Sequence, residues 1–226
     1  MSQTFTDDGG VASAHRAQIG RTVAARLARN PMVSRIDAPG LEIFGRHAFL
    51  SAQECLILRT LIDQDAVPSS LFSGDKNRDY RTSSSCHLNP WDGMVSTVSD
   101  RIVALMGIAA ETGETLQGQR YQAGQEYRTH CDFFPVTASY WPDMLKSGGQ
   151  RCWTAMIYLN DVPEGGETQF PLCEFMVPPR EGMILIWNNL SPDGAPNRQS
   201  LHAARPVISG TKYVVTKWFR ERPWTP

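Results

Sequence analysis

Residues 116–134, LQGQRYQAGQEYRTHCDFF, hold two short runs of strand-forming residues separated by a glycine-containing turn. In the second run His130 and Asp132 are two residues apart, and alternate side chains of a β-strand point to the same face. The imidazole and the carboxylate therefore project together, while Cys131 points away. Two such groups cannot complete a metal site, so a third ligand must come from elsewhere in the chain.

Helical patterns come before this stretch, and further strand-forming runs follow it. Helices are predicted from Ala14 to Asn30, from a Ser51–Glu54 capping box onward, and from Pro90, as the first helical residue, to near Gly113. Strands are predicted at residues 116–121, 126–134, 152–159, 183–187 and 213–219. Helices first and strands after indicate one α+β domain, with a C-terminal β-sandwich or barrel backed by the helices.

The first predicted helix carries Ile19, Val23 and Leu27 at helical spacing, with several arginines mostly on other faces. One interpretation is an amphipathic helix packed on the main domain, which we favour. The other is a basic helix that binds a partner or an anionic surface.

Composition argues against several classes of partner. The formal net charge is −1 and the isoelectric point is about 6.5, so we expect neither nucleic acid nor an anionic membrane as the main partner. No apolar run approaches the roughly 20 residues of a membrane span, and residues 1–10 lack the apolar core of a signal peptide. The five scattered cysteines favour a reducing, cytoplasmic location.

Among the other four histidines, His202 is the one in a late strand-like segment, residues 200–204, that a barrel could bring beside His130. Two histidines and one carboxylate on one face are the ligands of non-haem Fe(II) oxygenases. Lys212 follows ten residues later, on the predicted strand face that also holds Val214, Thr216 and Trp218. Its ammonium group could pair with a dicarboxylic acid such as 2-oxoglutarate, or it could lie at a solvated strand end.

From Leu41 to Trp224 the sequence resembles the prolyl 4-hydroxylase family of 2-oxoglutarate- and Fe(II)-dependent dioxygenases. The metal motif of that family matches His130, Asp132 and His202, and its 2-oxoglutarate lysine matches Lys212. Positions that contact 2-oxoglutarate or line its pocket match Tyr121, Thr168 and Trp218. Positions associated with peptide binding match a larger set: Arg81 and Ser83 in RTSSS, Glu114, Tyr127, Arg151 in GGQR, Trp218 and, after a substitution, Arg220.

The resemblance implies a double-stranded β-helix (jelly-roll) core with N-terminal helices packed on one sheet, spanning residues 41–226 after an N-terminal extension of residues 1–40. It implies an enzyme that uses Fe(II), 2-oxoglutarate and O2, with ascorbate as reductant, and forms succinate and CO2. The implied reaction hydroxylates a prolyl residue, at the 4-position, in a peptide or protein. As assembly we expect a monomer or a homodimer.

Two departures from the family pattern concern the substrate. Arg220 stands where related hydroxylases often carry a histidine, and Phe133–Phe134 stands where Tyr-Phe is common. The alternative substrate is therefore a free amino acid or another small molecule, whose carboxylate Arg220 could clamp. A non-catalytic ligand-binding barrel is a remote alternative. We also expect residues 69–85 and 135–149 to form loops, without strong helical or strand pattern, that close over the substrate.

Overall fold

The computed structural model describes residues 10–70 and 80–225, so part of the loop predicted over residues 69–85 lies outside the described residues. The α-helices are α1 (Ala14–Ala28), α2 (Ala52–Asp65), α3 (Gly93–Met106) and α4 (Trp141–Lys146). The first seven strands are β1 (Ser34–Ile36), β2 (Ile43–Arg46), β3 (Val67–Pro68), β4 (Ser84–His87), β5 (Gln117–Gln122), β6 (Tyr127–His130) and β7 (Arg151–Tyr158). The others are β8 (Glu164–Gly165), β9 (Thr168–Phe170), β10 (Phe175–Val177), β11 (Ile184–Asn188), β12 (His202–Ala204), β13 (Val207–Ser209) and β14 (Thr211–Arg220). Within the described ranges, no helix combines the length and the apolar composition that a membrane span needs.

Two antiparallel sheets form the body of the domain. The larger has eight strands in the order β1-β2-β11-β7-β14-β5-β4-β3, and the smaller has four in the order β10-β9-β12-β6. A third sheet has two strands, β13 and β8. Two antiparallel sheets packed face to face, with helices on the outer side of one, confirm the predicted jelly-roll fold of the α+β class.

The side chains of the larger sheet divide between two apolar clusters. On its outer face Trp153, Ile157 and Phe219 pack with residues of α1, α2 and α3. On its inner face Met156 and Val214 belong to a second cluster that includes residues of the smaller sheet. Because β7 is buried at every position, the larger sheet is covered on both sides at its centre.

Strand β14 shows the alternation that the sequence predicts. Lys212, Val214 and Thr216 line the inner cavity with Trp218, whereas Val215 and Phe219 join the outer cluster. The Lys212 side chain is 1% exposed, so the residue lies in the interior and not at a solvated strand end.

Helix α1 packs on the core through Val23 and Leu27, which are buried in the outer cluster. This agrees with the favoured of the two interpretations of the segment.

Helix α2 begins with the predicted capping box, in which the Ser51 hydroxyl and the Glu54 carboxylate each bond the backbone of the other. Such a cap contributes about 1 kcal/mol to the stability of a helix.

The prediction for α3 is wrong at both ends. The helix begins after Asp92, not at Pro90, because the Asp92 carboxylate accepts hydrogen bonds from the amides of Met94 and Val95. The helix is terminated by Gly107, six residues before the predicted end, because Gly107 adopts a left-handed conformation with φ 62°.

One loop prediction and one strand prediction also need correction. Residues 135–149 contain α4, whose six residues are too few to leave a periodic pattern in the sequence. Strand β6 ends at His130 and does not continue to residue 134. Its ladder stops there because the backbone of Phe134 pairs with the side-chain amide of Gln150 instead of a neighbouring strand.

Candidate active site

Two histidines face each other across the smaller sheet. His130 ends β6 and His202 begins β12, and the strand register pairs them directly. Each Nδ1 lies within hydrogen-bond distance of a backbone carbonyl, at 2.8 Å from Arg128 and 2.9 Å from Ser200. Because a carbonyl only accepts, Nδ1 carries the hydrogen and each Nε2 keeps a lone pair for a metal ion.

Asp132 completes the cluster from the bend that follows β6. Its Oδ2 lies 3.7 Å from Nε2 of His202, and one ligand atom from each of the three residues lies within 4.8 Å of the others. Two imidazole nitrogens and one carboxylate oxygen are the donor set of non-haem Fe(II) oxygenases, which leaves further coordination positions open. The residues present therefore fit Fe(II).

The charge states of these groups suit a divalent cation. Burial, together with the facing imidazole of His202, lowers the pKa of His130 to about 3, so His130 is neutral near pH 7. Burial opposes ionisation of Asp132, but the two imidazoles and Arg151 outweigh it and hold the pKa of that carboxyl below its usual value. His130 therefore offers a neutral nitrogen and Asp132 an anionic oxygen to a metal ion.

A buried cation lies deeper in the same cavity, which has a volume of about 1180 Å³. The Lys212 ammonium lies 5.4 Å from the ring centre of Tyr121 and 5.5 Å from that of Tyr158. Among the described residues it has neither an ion pair nor a hydrogen bond. Burial lowers the pKa of Lys212 to about 7, although the charge of Glu167 opposes this shift.

Polar groups surround this cation. Thr168 lines the cavity and accepts a hydrogen bond from the Tyr158 hydroxyl at 2.7 Å, so its own hydroxyl hydrogen can still be donated. The Tyr121 hydroxyl donates to the side-chain oxygen of Gln119 at 2.8 Å. The result is a dry, polar-walled end of the cavity that carries one positive charge.

An aromatic stack lies beside the metal ligands. The ring of Tyr127 stacks on that of His130, with ring centres 3.5 Å apart and planes 12° from parallel. The Arg81 guanidinium lies 4.9 Å from the centre of the Tyr127 ring, and the two residues form an isolated β-bridge. Arg81 also donates to Ser83 at 3.2 Å and to Gln117 at 3.1 Å.

A buried ion cluster forms the opposite wall. Arg151 donates two hydrogen bonds to the Glu114 carboxylate, at 2.6 and 2.7 Å, and Arg220 donates a third at 2.5 Å. Burial alone would raise the pKa of Glu114, but the two guanidinium groups outweigh it and hold this pKa below its usual value. The Arg151 guanidinium also lies 4.0 Å from the centre of the Trp218 ring.

The cavity brings together most of the residues selected from the sequence. Those that line it are Arg81, Glu114, Tyr121, Tyr127, His130, Asp132, Arg151, Thr168, His202, Lys212 and Trp218. Ser83 and Arg220 are not among the residues that line it, and their contact with the substrate stays a prediction. Ser83 is buried behind Arg81, and the guanidinium of Arg220 is already bound by Glu114 and the Gly149 carbonyl.

Comparison with known proteins identifies the family. Residues 116–220 match the family model described as the 2OG-Fe(II) oxygenase superfamily. The chain is 36% identical over 199 residues to probable prolyl 4-hydroxylase 3 of Arabidopsis thaliana, covering 77% of this chain and 68% of that protein. Prolyl 4-hydroxylase 5 of the same plant is 34% identical, covering 76% of this chain and 66% of the relative.

The chain belongs to the prolyl 4-hydroxylase family of 2-oxoglutarate- and Fe(II)-dependent dioxygenases. Solved structures support the fold. A viral collagen prolyl hydroxylase from Paramecium bursaria Chlorella virus-1 superposes with a TM-score of 0.62 at 23% identity, covering 86% of this chain and 98% of that one. A prolyl hydroxylase from Trichoplax adhaerens, in complex with a hypoxia inducible factor peptide, gives 0.60 at 15% identity, covering 91% and 90%.

In this dioxygenase family, bound iron and 2-oxoglutarate supply the oxidation, in which O2 is consumed, 2-oxoglutarate becomes succinate and CO2, and a carbon is hydroxylated. The contribution of the chain is to bind, to orient and to exclude water. His130, Asp132 and His202 would hold the iron, and the Lys212 ammonium would pair with the far carboxylate of 2-oxoglutarate. The Thr168 hydroxyl keeps a hydrogen that it would donate to that carboxylate, whereas the hydrogen of the Tyr121 hydroxyl is already donated to Gln119.

Sequence reasoning missed three residues of the dioxygenase site. Trp187 lines the cavity, and its ring meets that of His202 edge-on with the ring centres 4.8 Å apart. Gln119 was detectable, since it alternates with Tyr121 on the inner face of β5. Thr154 gave no local signal, because its partner, Asp132, is 22 residues away along the chain.

Proposed function

We propose that this dioxygenase hydroxylates prolyl residues, at the 4-position, in a peptide or protein. His130, Asp132 and His202 hold Fe(II), and Lys212 with Tyr121 and Thr168 holds 2-oxoglutarate. The observation that carries the proposal is the Arg81–Tyr127 pair, in which the Tyr127 ring stacks on His130 and so places a flat aromatic wall beside the metal site.

The walls of the cavity suit an extended, proline-containing chain. Tyr80 meets Tyr127 edge-on at 6.2 Å, and Phe134 and Trp218 line the other side beneath Arg151. Proline-rich segments bind in aromatic-lined grooves, because their rings pack on flat faces with little loss of conformational freedom. The relatives in Arabidopsis, which are named prolyl 4-hydroxylases, agree with this substrate class.

A free amino acid is the second candidate substrate. It was suggested by Arg220 as a clamp for a carboxylate, but Arg220 is held by Glu114 and lies outside the cavity lining. The cavity volume of about 1180 Å³ is also large for a single amino acid. Both observations favour a peptide.

The decisive experiment compares substrates with the purified enzyme, Fe(II), 2-oxoglutarate and ascorbate. We expect proline-containing peptides to gain one oxygen atom, detected by mass spectrometry, with an equal amount of succinate formed. Free proline should gain none. Hydroxylation of free proline with no reaction of any peptide would contradict the proposal.

A variant separates peptide binding from the iron chemistry. We expect Arg81→Ala to weaken peptide turnover about tenfold, since a cation–π contact contributes about 1 kcal/mol or more when desolvated, while decarboxylation of 2-oxoglutarate without peptide persists. Arg128→Ala is the matched control, because Arg128 is exposed on β6 and pairs with Glu126. Equal effects of both substitutions would remove the role assigned to Arg81.

We further propose that ascorbate is the reductant and that the enzyme works in the cytoplasm as a monomer or homodimer, without binding nucleic acid or a membrane. The scattered cysteines favour a reducing compartment, and the net charge of −1 supplies no attraction for polyanions. Omitting ascorbate should slow repeated turnover. Sedimentation of the purified chain gives its oligomeric state, and a trimer or larger assembly would contradict the last point.

A further inference from the structure

A buried hydrogen-bond chain runs from the larger sheet to the Asp132 carboxylate. The Thr154 hydroxyl donates to Oδ2 of Asp132 at 2.7 Å, and the side-chain NH2 of Asn189 donates to the Thr154 oxygen at 2.9 Å. Neither Thr154 nor Asn189 has any exposed surface. Water therefore cannot replace either contact without a change in the packing.

The direction of this chain is fixed by its members. A carboxylate only accepts, so the single hydroxyl hydrogen of Thr154 is used on Asp132 and its oxygen must accept from Asn189. In this orientation Oδ1 of Asn189 is buried without a partner among the described residues. The Asn189 amide is thus oriented to support Thr154, although its own acceptor stays unsatisfied.

The backbone positions at the start of the chain are rigid. Thr154 lies in the middle of β7, where it pairs with Trp187 of β11 on one side and Trp218 of β14 on the other. The backbone N–H of Asn189 donates to the Cys152 carbonyl at 2.8 Å, and the backbone carbonyl of Asn189 accepts from the backbone N–H of Asn197 at 2.9 Å.

Asp132 needs this support more than the two histidines do. His130 and His202 are in paired strands, and each ring is fixed by a backbone carbonyl. Asp132 lies beyond the end of β6, where no strand pairing fixes the backbone. Among the described residues, Thr154 is the one side chain that donates a hydrogen bond to the Asp132 carboxylate.

We propose that Thr154 and Asn189 are positioning residues that hold the Asp132 carboxylate in the geometry the metal requires. This inference rests on the proposed role of Asp132 as a metal ligand. Partners that orient a metal ligand typically change metal affinity about 10- to 100-fold when they are removed.

The test measures the affinity of the apoenzyme for Co(II) alone, by its visible absorption, so it does not depend on turnover. Thr154→Val keeps the shape of the side chain and removes the donor, and we expect it to weaken Co(II) binding about 10- to 100-fold. Thr154→Ser restores a donor and should bind Co(II) nearly as well as the unchanged enzyme. Thr112→Val is the matched control, since Thr112 is buried and, within the described part of the chain, bonds only the Ala109 carbonyl.

A double substitution separates positioning from simple stabilisation. Asn189→Ala should weaken Co(II) binding less than Thr154→Val, because the donor to Asp132 remains. Thr154→Val combined with Asn189→Ala should be no weaker than Thr154→Val alone, since Asn189 acts only through Thr154. Additive losses would overturn the series arrangement.

Other outcomes also decide the question. If Thr154→Val lowers the melting temperature but binds Co(II) as tightly as the unchanged enzyme, the contact is only structural and the proposal is wrong. If Thr154→Val fails to fold, Asn189→Ala and Thr154→Ser carry the same test. Asp132→Ala is titrated in parallel: unchanged Co(II) affinity there would refute the assigned metal ligand rather than the positioning role.

Discussion

The two ends of the cavity use charge in opposite ways. At the Lys212 end, one buried ammonium group has no anionic partner within ion-pair distance among the described residues, so it is a receptor for an anion that arrives with the cosubstrate. At the peptide end, Arg151 and Arg220 are already bound to Glu114, and of these three residues Arg151 and Glu114 line the cavity. The first end recognises charge, and the second presents preformed aromatic and polar surfaces.

This difference has an energetic reason. A buried ammonium without an anion is costly, as the pKa of about 7 for Lys212 indicates, and a dicarboxylate removes that cost when it binds. A peptide bond carries no net charge, so it gains little from an unpaired guanidinium. The peptide end therefore keeps its two buried guanidinium groups, Arg151 and Arg220, bound in advance to one carboxylate, Glu114.

The largest effect is expected where the two ends meet, at the metal ligands. Asp132→Ala and His202→Ala should each abolish turnover, because each removes a donor from the iron site at the junction of the ends. Circular dichroism should show that His202→Ala keeps the fold. His47→Ala, an exposed histidine, is the control. Full activity of Asp132→Ala would contradict the assignment.

The second effect separates the two ends. Lys212→Ala should raise the concentration of 2-oxoglutarate required for half-maximal rate by a factor that corresponds to about 2–5 kcal/mol, the cost of breaking a desolvated charge pair. The requirement for peptide should change little. Lys217→Ala is the control, since Lys217 is on the same strand and contacts the Glu114 carbonyl. An unchanged 2-oxoglutarate titration would show that another residue binds the far carboxylate.

The pH dependence of cosubstrate binding should follow the same lysine. Without cosubstrate the pKa of Lys212 is about 7, below its value in the unfolded chain. Above about pH 7 the side chain is therefore mostly a neutral amine, which must regain a proton before it can pair with a dianion. Affinity for 2-oxoglutarate should therefore fall as the pH rises above about 7, by at most about tenfold per pH unit. The apoenzyme should become more stable over the same range, because the unfolded chain binds the extra proton.

A charge that does not titrate tests this explanation. Arginine stays protonated throughout this range, so in Lys212→Arg the affinity for 2-oxoglutarate, even if weaker, should lose most of its decline with pH. A decline of the same size in Lys212→Arg would assign it to another group. The measurement is the apparent KM for 2-oxoglutarate across the pH series, with peptide held in excess.

How far the sequence predicted each end depends on the kind of contact. The position of Lys212 was predictable, because alternation along β14 places it on one face with Val214, Thr216 and Trp218. Tyr121, which the family resemblance selected, lies opposite Lys212 on the paired strand β5. The behaviour of Arg220 was not predictable. Its pairing with Glu114 joins residues 106 apart in the chain, and no local pattern reports such a contact. The missing end of β6 has the same cause, since a side chain, Gln150, takes over the backbone pairing of Phe134.

The ion cluster of the peptide end should show its effect in stability. Glu114→Gln leaves two buried guanidinium groups without their carboxylate, and breaking a buried pair in this way costs about 3–5 kcal/mol of the free energy of unfolding. Denaturation by urea measures this loss. Glu126→Gln, in a more exposed pair with Arg128, should change the same quantity by less than about 1 kcal/mol. Equal losses would mean that the buried cluster contributes no more than a surface pair.

The smallest effect concerns α1, which reaches the peptide end through a chain of contacts. Arg16 pairs with the Glu221 carboxylate at 3.1 Å, and that carboxylate accepts from the Gln150 amide at 3.3 Å. The Gln150 side chain in turn holds the backbone of Phe134, whose ring lies under Arg151 at 4.9 Å. The helix thus braces one wall of the peptide end and makes no contact of this kind with Lys212.

Arg16→Ala should therefore raise the apparent KM for peptide about three- to tenfold, the equivalent of about 1 kcal/mol for one partly buried hydrogen-bonded charge. The apparent KM for 2-oxoglutarate should stay unchanged. Arg21→Ala tests the helix without the contact, because Arg21 is exposed and its one donated side-chain bond among the described residues goes to Gln18. A loss of stability alone would lower the amount of active enzyme and reduce both maximal rates without changing either constant. A parallel rise in both constants would show that α1 supports the whole cavity, and the distinction between the two ends would then not extend to the helix.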